Sequence, residues 1–391
     1  MTKKEVSRLP YERVALVLQG GGALGAYQAG VFEGLVEAGI ECDWAAGISI
    51  GAINAALIVG NEPARRVERL REFWNTVTAP PVLPPTAPWW ASAMEQGGSV
   101  SRTALGWFEA SRAVLEGQRG FFVPRVPSPA FSAQAAPTAL SYYDTAPLSA
   151  TLERLVDFDR INHESSLRLT VSAVNIASGN FELFDNQRGE WAGRITAAHI
   201  VASGALPPGL AAVEIEGQHY WDGGLVSNTP LSAVLDEEPR CDTLAFQVDL
   251  WSATGPLPKN LLDVEERAKD IRYSSRTRAV TRQLERERHL RRLLREVLAR
   301  VPAAQRKGDA WCREAQAQAS DKTFNVVQLI YQEKSWDSHH KDYEFSALSM
   351  RDHWASGLAD LRRTLAHPDW LAPPERRHAS TVTHDVHRER E

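Results

Sequence analysis

Short unbroken apolar runs alternate along the chain with stripes that recur every three or four positions, which predicts strands and helices in turn. Val14, Ala15, Leu16, Val17 and Leu18 form one such run, as expected of a parallel strand covered on both faces. It leads into Gln19-Gly20-Gly21-Gly22-Ala23-Leu24-Gly25. Ala29, Phe32, Leu35 and Val36 then recur at helical spacing as far as Ala38, and Gly39 sits where a C-terminal cap belongs. Further strands are predicted over 169–176, 181–184, 243–249 and 325–331, and helices over 148–158 and 345–365. Ser178, Gly179 and Asn180 supply the turn between the first two of these strands.

Two stretches break this rhythm. From 78 to 147 come Pro80-Pro81, Pro84-Pro85, Trp89-Trp90, Gly97-Gly98, Phe121-Phe122 and Tyr142-Tyr143, too proline-rich for regular structure and too aromatic for a plain linker. This predicts an insertion with a short helix over 103–115, serving as a lid or acyl channel or else as a surface loop pinned by its aromatic residues. From 263 to 300 charges of both signs alternate while Leu290, Leu293, Leu294, Val297 and Leu298 share a helix face. Such a helix lies on an anionic membrane or a partner, or packs on its own domain by one leucine stripe. After Pro373 the chain is polar and expected to fray.

At 391 residues there is room for one large α/β domain with an extension. The net charge of −5 argues against wholesale nucleic-acid binding. Cys42, Cys241 and Cys312 are odd in number and far apart, which suggests neither a disulfide framework nor a zinc ribbon and suits a reducing cytoplasm. The N-terminal residues lack an apolar signal core, and no long uninterrupted apolar run occurs, so the expectation is a soluble or membrane-peripheral protein.

The candidate chemistry centres on Gly47-Ile48-Ser49-Ile50-Gly51, where a short apolar segment meets a tight turn and a helix over 50–58. Such a nucleophile elbow leaves Ser49 at the apex, above the positive end of the helix. The same spacing also arises as a small-residue turn between sheet and helix. Gly20, Gly22 and Gly25 satisfy a dinucleotide-binding pattern, with Asp43 as its acid, but that acid falls in the segment feeding the elbow and its strand is poorly apolar. The competing use of the loop is an anion cradle of backbone N–H groups. Beside Ser49 it would be an oxyanion hole. For the base, His199 and His219 are candidates without a positioning motif, whereas Asp222 sits in Asp222-Gly223-Gly224 ahead of Asn228 and Pro230.

The glycine loop, the elbow and Asp222-Gly223-Gly224 in this order, with Ala202-Ser203-Gly204-Ala205-Leu206-Pro207 before the aspartate, resemble the patatin-like phospholipase family. The resemblance covers roughly 13–249. It implies a three-layer α/β/α fold with a mostly parallel sheet and a histidine-free dyad of nucleophile Ser49 and base Asp222. The Gly21 and Gly22 N–H groups would form the oxyanion hole, with Gly20, Gly25, Gly47, Gly51, Gly223 and Gly224 as motif glycines. The implied activity is hydrolysis of lipid acyl esters through an acyl-enzyme, with no metal or cofactor. Leu24 and Gln19 depart from the basic residue and the aspartate that family members often carry. The expected organisation is a leader over 1–12, a hydrolase domain over 13–250, a helical extension over 251–370 and a disordered tail over 371–391. The part after Trp251 resembles an extension found on a bacterial subset of the family. The rival expectation from another class is a non-catalytic protein of lipid or granule surfaces on the same fold.

Overall fold

The computed structural model describes residues 9–79, 98–127, 136–275, 277–337, 339–374 and 381–387. The chain begins with β1 (Arg13–Leu18), α1 (Ala26–Glu37), β2 (Trp44–Gly47), α2 (Ile50–Val59) and α3 (Arg66–Val77). There follow α4 (Gly98–Glu116), β3 (Val123–Pro124), β4 (Tyr143–Asp144), α5 (Ala146–Leu155), β5 (Arg168–Asn175), β6 (Phe181–Asp185) and α6 (Ala197–Ser203). Next are β7 (Val213–Ile215), β8 (Gln218–Asp222), α7 (Leu231–Leu235), β9 (Thr243–Asp249), α8 (Leu261–Tyr273) and α9 (Thr277–Arg300). The last are α10 (Ala303–Gly308), α11 (Ala310–Gln318), β10 (Phe324–Ile330), α12 (Ala347–Leu365) and β11 (Thr381–Asp385).

Nine of the described strands join one sheet in the order β11-β10-β9-β1-β2-β5-β8-β7, with β6 also paired to β5. Pairing is parallel from β11 through β5 and antiparallel for β6, β7 and β8. The unbroken apolar run of β1 has its reason in the two faces it covers. Leu16 and Leu18 enter the large core with α1, α2 and α12, while Ala15 and Val17 meet Leu231, Val234 and Leu235 of α7 on the other side. The result is a mostly parallel sheet between two helical layers.

The segment after Trp251 is more than helical. It adds β10 and β11 to the sheet and lays α12 along α1. A Cβ at Gly30 would stand 2.0 Å from Trp354 O, and one at Gly357 would stand 2.0 Å from Tyr27 O, so the two helices cross with their backbones nearly touching. The strand β11 lies in the stretch expected to fray. It is held by the edge of β10, a partner that local sequence does not announce. The charged stretch is two helices: α8 ends at Tyr273, with Ser274 extended. Leu298 packs on Cys312 and Ala315 with Leu294 alongside, whereas Leu290, Leu293 and Val297 are exposed. Of the insertion, Pro80-Pro81, Pro84-Pro85, Trp89-Trp90 and Gly97 lie outside the described residues, while its helix α4 begins earlier than the pattern suggests. Cys42, Cys241 and Cys312 are free thiols.

Candidate active site

Two strands that share one edge of β5 bring Ser49 and Asp222 together. Thr170 and Val171 of β5 pair with β2 on one side and β6 on the other, and Ala173 and Val174 pair with β6 and β8. With one edge taken by β6, β8 must lie on the edge that β2 occupies lower down. β2 stops at Gly47, and the antiparallel β8 takes its place, ending with Asp222 opposite Ala173. The end of one strand and the end of the other therefore converge on the same point.

At that point the backbone of Ser49 has φ 56° and ψ −124°, a conformation outside the regions that side-chain-bearing residues favour. It is held by its own N–H, which donates to Ser203 O and Ser203 Oγ, both at 3.1 Å, and by its carbonyl, which accepts the first bonds of α2. Small neighbours are obligatory here. A Cβ at Gly47 would lie 2.3 Å from Gly51 O, and one at Gly51 would lie 2.3 Å from Leu18 O. Gly20, Gly25 and Gly223 likewise face atoms too close for a side chain: Asn228 Oδ1, Ile50 Cγ1 and Ser172 O. Gly22 adds a left-handed φ of +55°.

Asp222 is buried, and desolvation pushes its carboxyl up from 3.8 to about 7. The Gly224 N–H, which donates to Asp222 Oδ1 at 2.7 Å, and the Ser49 hydroxyl act in the opposite direction by favouring the charged form. Among the described residues the N–H groups of Gly21 and Gly22 donate to no protein acceptor, and neither does that of Ile50 at the head of α2. With the helix dipole of α2 they make the positive side of the site.

Ser49, Asp222, Gly20, Gly21, Gly22 and Gly224 line one cavity of about 340 Å³. Its far walls are apolar. Phe121, Phe122 and Tyr143 come from the insertion, and Trp251, Tyr343 and Phe345 come from the C-terminal segment. Phe345 meets both phenylalanines, with ring centroids 5.7 and 6.4 Å apart.

His199 and His219 stand elsewhere. His199 caps α6 with Thr196, packs against Phe184 and Trp191, and is pulled down to about 4 by burial. His219 lies on β8, 3.9 Å from Glu214. Asp43 Oδ2 accepts the Val14 N–H at 2.8 Å, so this carboxylate is engaged by the backbone of β1. Leu24 is fully buried. Gln19 uses both ends of its amide: Nε2 donates to Thr229 Oγ1 and Tyr273 O, and Oε1 accepts from Leu250 and Trp251. An aspartate could only accept. Sequence reasoning missed Trp251, Tyr273 and Asp342, which carry no local motif, whereas Ser203 and Asn228 were flagged only as neighbours.

The family model described as patatin-like phospholipase matches residues 16–235, and a second, described as patatin phospholipase, matches residues 271–377. Over 116 residues the chain is 35% identical to an uncharacterized NTE family protein of Mycobacterium tuberculosis, a match covering 29% of this chain and 19% of that one. Over 93 residues it is 39% identical to patatin-like phospholipase domain-containing protein 6 of Homo sapiens, covering 23% of this chain and 7% of that protein. Both relatives are thus matched over a minor part of their length. Among solved structures, VipD from Legionella pneumophila matches with a TM-score of 0.38 and 13% identity, over 94% of this chain and 72% of that chain. Among the described residues no helix is long and apolar enough to cross a membrane.

Proposed function

The chain belongs to the patatin-like phospholipase family, and from that premise we propose that it is a serine hydrolase cleaving lipid acyl esters with Ser49 and Asp222 as a dyad. The observation that carries this reading is the convergence of the two residues from facing strand ends in one apolar cavity, beside N–H groups without acceptors. Asp222, in its carboxylate form, takes the Ser49 hydroxyl proton as Oγ attacks the ester carbonyl carbon. The negative charge that develops on the carbonyl oxygen falls to the Gly21 and Gly22 N–H groups. Collapse breaks the bond to the leaving alcohol, which receives the proton from Asp222. The acyl group is left on Ser49, and Asp222 then deprotonates the water that releases it.

A carboxyl raised to about 7 suits this work better than an ordinary aspartate, because its basicity is greater and a large fraction remains ionised at neutral pH. The acyl chain would lie among Ile53, Phe121, Phe122 and Phe345. Exposed Leu115 and Tyr142 adjoin the cavity residues Val114 and Tyr143, which supports approach to a lipid surface at this mouth. A fluorescent fluorophosphonate tests the proposal, since it needs only an activated serine. Wild type should label, while folded Ser49→Ala should not and Asp222→Asn only slowly. Equal labelling after Ser49→Ala would overturn the assignment and favour a non-catalytic lipid-binding role.

A further inference from the structure

The oxyanion loop is held from outside its own motif. Ala23 N–H donates to Asp342 O at 2.8 Å, and a Cβ at Gly22 would lie 2.0 Å from that same carbonyl oxygen. The glycine at 22 therefore answers to a residue more than three hundred positions away. Asp342 belongs to a segment fastened to α8 along its length. Lys269 Nζ is 2.5 Å from Asp342 Oδ1 and 3.4 Å from His339 O, and Lys341 Nζ lies 2.9 Å from Asp270 and 3.2 Å from Glu266. The C-terminal end of α8 also grips the rest of the site. Tyr273 O accepts from Gln19 Nε2 at 3.1 Å, just before the glycines, and from Asn228 Nδ2 at 2.8 Å, just after Asp222. Such orphan carbonyls at a helix end need donors from elsewhere.

We infer that α8 sets the geometry of the oxyanion hole, and that Lys269 is a positioning residue acting through Asp342. The inference rests on the proposed dyad and gives the C-terminal segment a catalytic purpose. Two effects run through Lys269. It holds the side chain of the residue whose carbonyl fixes the loop, and it neutralises the carboxylate of that residue, which lines the same cavity as Gly21 and Gly22. Without it, Asp342 would oppose negative charge developing on the substrate oxygen. That charge exists only after attack, so binding of the neutral ester should be spared.

The test is steady-state hydrolysis of p-nitrophenyl butyrate by the full chain, with hydrogen exchange of the stretch 20–24 as a second readout. Lys269→Met should lower kcat by about 10- to 100-fold while KM changes little, and exchange of the loop should quicken. Lys269→Arg should restore most of the rate. Adding Asp342→Asn to Lys269→Met should recover a large part of the loss, since the unpaired charge goes while the carbonyl stays. Unchanged kcat in Lys269→Met, or equal losses in both Lys269 variants with unaltered loop exchange, would overturn the inference. If Ser49→Ala retains hydrolysis, the dyad itself fails, and loop exchange in Lys269→Met still decides whether α8 holds the loop.

Discussion

Asp222→Asn should make the protein more stable while it removes activity. The buried carboxyl stands at about 7 against 3.8 for the ordinary group, a shift worth about 4 kcal/mol in favour of the neutral form. The sign follows from linkage. The stability contributed by the protonated folded form is fully present below the unfolded value near 3.8 and is lost as pH rises through about 7. An asparagine never ionises, and its side-chain oxygen can still accept from Gly224 N–H, now 2.7 Å from Asp222 Oδ1. Relative to wild type the variant should thus gain up to about 4 kcal/mol between pH 3 and pH 8.5, roughly 2 kcal/mol of it already at pH 5. Urea unfolding of both proteins at pH 5 and pH 8.5 measures this directly, with equal slopes on denaturant required for the comparison. Ester hydrolysis should fall on the order of 10³-fold with loss of the proposed base. A stability difference that does not change with pH would show that Asp222 is not held near neutrality, and the argument for its fitness as a base would fail.

Three other outcomes follow. In wild type, kcat/KM should drop as pH falls below about 7, because in the proposed dyad only the ionised Asp222 can accept the serine proton; a profile flat from pH 5 to pH 8 contradicts this. Gly22→Ala should cost about 2 kcal/mol or more in urea unfolding, since it meets both a left-handed φ of +55° and the Asp342 carbonyl. Phe122→Ala should widen the apolar end of the cavity and shift the preference among p-nitrophenyl esters toward longer acyl chains; an unchanged chain-length profile would place the acyl chain elsewhere.

Local pattern carried much of this structure. The unbroken run at 14–18 marks a strand buried on two faces, and the stretch 325–331 marks another even though Asn325 and Gln328 interrupt its apolar residues, because both polar side chains are buried with the rest of the strand. The tight turn around Ser49 was legible because only glycine suits its neighbours. Pairing is a different matter. That β8 continues the row of β2 depends on which edge of β5 is left free, and no residue in either strand records it. The same holds for β11, whose polar sequence is compatible with an edge strand only because β10 is there to receive it. Asp342 was invisible for a further reason: it fixes the glycine loop through its backbone carbonyl, which every residue type possesses. Gln19 illustrates the intermediate case, where a departure from the family pattern was evident but its use as both donor and acceptor emerged only with Tyr273, Leu250 and Trp251 around it.

The most direct measurement is mass spectrometry of acid-quenched enzyme during turnover of p-nitrophenyl butyrate, followed by peptide mapping. The acyl-enzyme account predicts a butyryl adduct on the peptide that contains Ser49, absent from Ser49→Ala and slow to form in Asp222→Asn. Turnover with an adduct on another residue, or a butyryl adduct that persists in Ser49→Ala, would contradict it.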